Sequence, residues 1–280
     1  MTAPNNPMPP LPPGATTGVV SSIRQAAHAA NVDFGLLMAQ AQQESGFQAD
    51  AKASGSSATG LFQFIDSTWL GLVQRFGEKY GVGGLAQQIT TDGAGRAMVA
   101  DPATRQRILD LRKDPRLSAA LAAEFARQNK TELEQALGRP AGNADLYMAH
   151  FLGATGATTF LKAVASAGAT PGAELLPEAA AANRGVFYDA AGRPLSVAQI
   201  YQSFSSRINQ QAAQFAGAGA SPIAGLATAS EVPPFVRGLT FDGRQLATPM
   251  AAMLNLFALS ALKLLGTAAP APKSSLLPSI

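Results

Sequence analysis

Residues 33–69 read DFGLLMAQAQQESGFQADAKASGSSATGLFQFIDSTW, and the fold turns on how this run divides. Phe34, Leu37, Met38 and Ala41 stand at i, i+3, i+4 and i+7, the period of one apolar helix face. Asp33 is placed to cap the start of that helix and Gly46 to stop it. Glu44 comes seven residues after Leu37, about two turns on, so the same period turns it inward with the apolar face. Burial disfavours a carboxylate there, and the negative end of the helix dipole disfavours it again. A carboxyl that keeps its proton is what the general acid of glycosidic bond cleavage requires. The plainer alternative is a helix-end glutamate turned to solvent.

The rest of the run supplies the surroundings. Residues 47–59 are mostly Ser, Ala and Gly, suited either to a floor where a bulky sugar passes close to backbone or to a simple connector. If residues 60–65 are extended, Phe62 and Phe64 face one way and Gln63 the other. Asp66, Ser67 and Thr68 are expected to cap the next helix, in which Trp69, Leu72, Val73, Phe76 and Tyr80 keep the helical period. Trp69 at the head of so regular a face reads as core rather than as a sugar-stacking platform.

The segment ESGF, then SGSSATGLFQF, then AHFLGATGA far downstream, resembles in order and content the motifs of lytic transglycosylases of the soluble (SLT) type, which share the lysozyme-like fold with goose-type lysozymes. That family pairs E-S at a helix end with a G-L-M/F-Q block and a later A-Y-N-A/G-G block. Glu44-Ser45 and Gly60-Leu61-Phe62-Gln63 match the first two. The third departs, with His150 and Phe151 where the family more often has Tyr and Asn. The resemblance spans about Val19 to Val164. It implies Glu44 as the catalytic residue, and Ser45, Gly60, Leu61, Phe62, Gln63 and Phe64 as substrate-binding. The group that approaches the glutamate from the third block is either His150, by alignment, or Tyr147 one turn earlier. A buried histidine with no chemical duty is the alternative for His150.

Composition narrows the classes further. Charged residues are 14% of 280, below the usual quarter of a soluble protein, and the formal net charge is +3. No basic cluster with interleaved aromatics suggests a nucleic-acid groove. There is no cysteine, which rules out disulfides and thiolate chemistry, and with His28 and His150 the only histidines no metal site is expected. No cofactor is expected either.

Five segments are expected: a disordered Pro-rich leader (1–16), a lysozyme-like domain (17–168), a helical extension packing on it (169–216), a Gly/Ala/Ser/Pro linker (217–234), and an apolar helix with its tail (235–280). Prolines 102 and 115 at helix starts, with Asp101 and Asp114 as caps, predict two helices, 102–112 and 115–137, the second stopped by Gly138 and Pro140. The charged faces between them read as solvated. The expected class is mainly α with at most a minor hairpin, since no stretch sustains period-two alternation. The leader has no basic and apolar regions of a secretory signal, so a periplasmic or envelope location would need another route. The helix at 249–265 is too apolar to stand free and is expected to dock on the protein itself, a protein partner or a membrane surface.

Near the motif only Asp50 and Asp66 are available as a second carboxylate. Glu44 therefore reads as an acid working alone. The resemblance implies that such an enzyme cleaves the bond between N-acetylmuramic acid (MurNAc) and N-acetylglucosamine (GlcNAc) in peptidoglycan without water, leaving a 1,6-anhydro end. The alternatives are a hydrolytic muramidase helped by Asp50 or Asp66, and a catalytically idle glycan-binding or assembly protein.

Overall fold

A computed structural model describes residues 11–219. Most of the expected leader, the linker beyond Gly219, and the 249–265 helix with its tail lie outside the described residues. The described chain is mainly α. Helices α1 (Thr17–Ala30), α2 (Phe34–Ser45) and α3 (Asp66–Phe76) come first. The short α4 (Gly83–Ala86) leads to an antiparallel hairpin, β1 (Thr90–Thr91) with β2 (Ala97–Met98). Next come α5 (Pro102–Asp110), a 3₁₀ turn (Leu111–Lys113), α6 (Pro115–Leu137) and α7 (Asn143–Ser166). Three short helices, α8 (Gly172–Leu175), α9 (Pro177–Ala182) and α10 (Arg184–Phe187), precede α11 (Val197–Gly219).

Local chemistry sets most of these bounds. Asp33 Oδ1 accepts the Leu36 N–H at 2.7 Å, and Gly46 in the left-handed conformation closes α2. Asp101 and Asp114 cap α5 and α6 ahead of Pro102 and Pro115, and Gly138 ends α6. The α3 start differs from the expected cap. The helix begins at Asp66 with no side-chain cap, because both carboxylate oxygens of Asp66 are taken by arginines.

α6 is the central element, with Leu117 to Glu124 buried on every face. Its small residues let α1 and α7 pack along it, while α11 packs on both α2 and α7. Trp69 is fully buried, and its indole N–H donates to the Ile108 carbonyl at 2.7 Å. α7 is interrupted at Gly153, whose φ of 71° and ψ of 162° are not helical. The N-terminal part of α7 carries Tyr147 and His150 to the end of α2.

Candidate active site

Glu44 is the penultimate residue of α2, and its side chain is only 6% accessible. His150, 9% accessible, brings Nε2 to 3.1 Å from Glu44 Oε1. Of the two groups open to that role in the sequence, His150 is the one in direct contact. The Tyr147 hydroxyl instead accepts from Gln43 Nε2 at 2.7 Å, and the ring lies 5.5 Å from that of Phe204 in α11. Burial, and then the negative charge of Glu44, push the Tyr147 phenol well above its ordinary range, so it stays a neutral hydroxyl.

Ser45 ties the end of α2 to the next motif. Its Oγ lies 2.9 Å from the Leu61 carbonyl and 3.1 Å from that of Ala41. The loop between is held by its own backbone, with Ala53 N–H on Ala58, Thr59 N–H on Phe64, and Gly60 N–H on Ala51. Gly60 has φ +87°, and a Cβ there would lie 2.2 Å from the Arg112 carbonyl oxygen. Glycine meets both demands at once.

Leu61, Phe62 and Phe64, expected to bind substrate, are instead buried in the core, with Phe64 packed between Phe62 and Trp69. Gln63, expected to line a groove, is 5% exposed, and its amide nitrogen donates to the carbonyls of Ala51 at 3.1 Å and Gly60 at 2.9 Å. The reason is the turn itself. The Ala51 carbonyl already accepts the Gly60 N–H and the Gly60 carbonyl the Gln63 N–H, and the amide adds a second donor to each, which ties the turn together. Through the Leu61 carbonyl this segment is joined to Ser45, the neighbour of Glu44. Ser45, His150 and Tyr147 gather around its helix end.

Three buried charges were not singled out by the sequence. The Arg112 guanidinium donates to the carbonyls of Leu109, Ser57 and Phe64 and to Asp66 Oδ1 at 2.9 Å. Arg105 Nη2 takes the other oxygen of Asp66 at 2.7 Å. These partners lie 39 to 55 residues apart in the chain, except Leu109, and no local spacing announces them. Glu124, in the face of α6 expected to be solvated, is fully buried and paired with Lys79, Arg127 and the Tyr80 hydroxyl. Asp145 accepts from Arg139 through both oxygens, from the Gly142 N–H and from the Tyr201 hydroxyl of α11. Glu124–Arg127 at i, i+3 and the Arg139–Asp145 proximity were visible, but each reads equally well as a surface pair.

Chemically, the arrangement offers one shielded carboxyl with an imidazole neighbour. Asp66 is committed to two guanidinium groups, and Asp50 is exposed. Comparison with known families finds that residues 21–84 match the family model of the transglycosylase SLT domain. The match takes in most of α1, α2 with Glu44 and Ser45, the Gly60–Phe64 loop and α3, and ends before the helix that carries His150.

Proposed function

We propose, from the match of residues 21–84 to the transglycosylase SLT domain, that the chain is a peptidoglycan lytic transglycosylase in which Glu44 serves as acid and then base. The domain implies peptidoglycan as substrate and lytic transglycosylase activity in general terms. The observation that carries the finer reading is the state of the carboxylates. Inverting hydrolysis needs a second carboxylate to activate water, and double displacement needs one as nucleophile. Asp66 is neutralised by Arg105 and Arg112, and Asp50 is exposed in its loop, which leaves Glu44 alone at the helix end.

One glutamate suffices when the substrate supplies its own nucleophile. The Glu44 proton goes to the oxygen that links MurNAc to GlcNAc as the bond from that oxygen to muramyl C1 breaks. The carboxylate so formed takes the proton of the muramyl C6 hydroxyl, and O6 bonds to C1. The proton is back on Glu44, no water is consumed, and the product ends in 1,6-anhydro-MurNAc. His150 at 3.1 Å is the neighbour that accompanies both steps. The working location under this proposal is the cell envelope, where peptidoglycan lies.

The test is mass spectrometry of muropeptides released from purified peptidoglycan by the wild type and by Glu44→Gln. Products lighter by one water, made by the wild type alone, are the expected outcome. Reducing muramic ends would replace this reading with hydrolysis, and full activity of Glu44→Gln would end it.

A further inference from the structure

The helix α11 lies outside residues 21–84, yet it is fastened to the part of α7 that carries His150. The Tyr201 hydroxyl donates to Asp145 Oδ1 at 2.9 Å, and the Phe204 ring lies 5.5 Å from those of Tyr147 and Phe151 on either side of His150 in the chain. Arg207 comes about one turn after Phe204. It is half-buried, and among the described residues its guanidinium has no hydrogen bond and no ion pair. Arg105 and Arg112, beside the family motifs, are by contrast both spent on Asp66. Nor is Arg207 folded back on its own helix, because the amide oxygen of Gln211, its i+4 neighbour, is buried without a partner. Its charge nevertheless reaches the candidate site. Burial and then the Glu44 charge push the Tyr147 phenol up, while the hydrogen bond from Gln43 and the Arg207 charge pull it down. Glu44 and Arg207 thus lie within electrostatic reach of one hydroxyl.

A guanidinium with all its N–H donors unspent is built for a carboxylate, which it can take through two parallel hydrogen bonds. The proposed substrate carries carboxylates close to the reacting atom. Each MurNAc bears, through the lactyl ether on C3, a short peptide with free carboxyl groups, and C1 of the same ring is where the bond breaks. We propose that Arg207 is a substrate-binding residue that receives a peptide carboxylate of the muramyl unit held at Glu44, so that the chain favours peptide-bearing strands over bare glycan. The assignment rests on peptidoglycan as substrate and adds to that reading an element, α11, that recognises the peptide. Because Tyr201 and Phe204 hold α11 against α7, the cation is set in place before the strand arrives. The contact is made with a part of the substrate that does not react, so its loss falls on KM.

The experiment compares the full chain with its Arg207→Gln and Arg207→Lys variants on soluble glycan strands that keep their peptides and on the same strands after an amidase has removed them. The quantity followed is the ratio of kcat/KM on peptide-bearing to bare strands. A ratio of about ten is expected in the wild type, the size of one charge-assisted contact. It should fall towards one in Arg207→Gln, through KM, and stay between the two in Arg207→Lys, which keeps the charge and loses the fork. Added salt should lower the wild-type ratio and leave that of Arg207→Gln in place. A wild-type ratio of one overturns the proposal, and so does an Arg207→Gln protein that keeps the wild-type ratio, since a purely structural or electrostatic role would lower both rates together. Binding keeps the result apart from the cleavage mechanism. Calorimetric titration with MurNAc bearing L-Ala-D-Glu, and with the diamide of the same compound, should show tighter binding of the charged form by the wild type and by Glu44→Gln, and loss of that difference in Arg207→Gln. Such binding by a chain that cleaves nothing would keep the peptide contact and remove the mechanism at Glu44. Equal binding of the two forms by the wild type would remove the peptide contact and leave that mechanism as it stands.

Discussion

At Gly60 two constraints coincide, a φ of +87° and a Cβ position 2.2 Å from the Arg112 carbonyl oxygen. Gly60→Ala has to strain the backbone and also push the 3₁₀ turn away, and Arg112 is what clamps residues 57–66 to that turn. The expected cost is about 3 kcal/mol, read as a lower urea midpoint at unchanged slope. Because Ser45 joins this loop to the end of α2 at Leu61, glycan cleavage should fall along with stability. An unchanged urea midpoint would mean the loop is held by something other than this contact. The helix end that carries Glu44 was legible from sequence, because its cap and its stop are local, whereas residues 60–65 read as extended and the turn at Gly60 was not. Nor was the direction of Gln63, because it depends on where the folded turn brings the carbonyls of Ala51 and Gly60. Arg112 was silent for a related reason, its partners being brought together only by the packed chain.

Among the elements, α11 illustrates what periodicity conveys and what it omits. Val197, Ile200, Phe204, Ile208 and Phe215 are buried, as their helical spacing predicts, but spacing alone left open what that face would meet. It meets α2 and α7. Phe204 lies 5.5 Å from both Tyr147 and Phe151, and Phe215 packs edge-on against Phe47 just past the end of α2. The helix thus braces both elements that carry the candidate site. Phe204→Ala should cost about 3–5 kcal/mol, the usual range for a buried phenylalanine. It should also loosen Tyr147 from Gln43, the neighbour of Glu44, so kcat should drop in conditions where the variant is still folded. Tyr201→Phe is the contrast. It removes a hydrogen bond to Asp145 worth about 1.5–3 kcal/mol for a charged acceptor but leaves the ring stack in place, so stability should fall with kcat retained. Equal loss of kcat in both variants would show that α11 acts through global stability alone. The α6 helix was misjudged on its charged face for the opposite reason: Glu124 follows a run of alanines, and only the packed neighbours Lys79 and Tyr80 show that this face is inside.

For the whole molecule, the two buried carboxylates and their tyrosine partners set the pH range over which the fold holds. Burial pushes the Glu124 carboxyl up, but hydrogen bonds from Lys79, Tyr80 and Arg127 outweigh it and hold the group below its usual range. Asp145 behaves alike: burial raises it, while Arg139, the Gly142 N–H and Tyr201 bring it lower. A carboxyl whose folded value is depressed adds stability that is complete above its unfolded value, about 4, and is lost as pH falls through the folded value. The tyrosines run the other way. Burial and the Asp145 charge push Tyr201 up to about 12, and burial with Glu124 pushes Tyr80 up as well. Their protonated forms favour the fold fully below the unfolded value, about 10, and that contribution is lost as pH rises through the folded value. Stability should therefore be level between about pH 5 and 9, fall on the acid side below about 4, and fall again above about 10. Thermal unfolding midpoints across this range check the shape. Asp145→Asn should lower the plateau, because the buried carboxylate's hydrogen bonds to the half-exposed Arg139 lose their ionic character, and the gap to wild type should close as pH falls through the folded value of Asp145. Tyr201→Phe should flatten the alkaline slope and also soften the acid slope, because its hydroxyl is one of the groups that hold the Asp145 carboxyl low. A gap between wild type and Asp145→Asn that stays constant down to the lowest pH would mean that Asp145 supports the contact of α7 with α11 by shape and neutral hydrogen bonding, not by its charge.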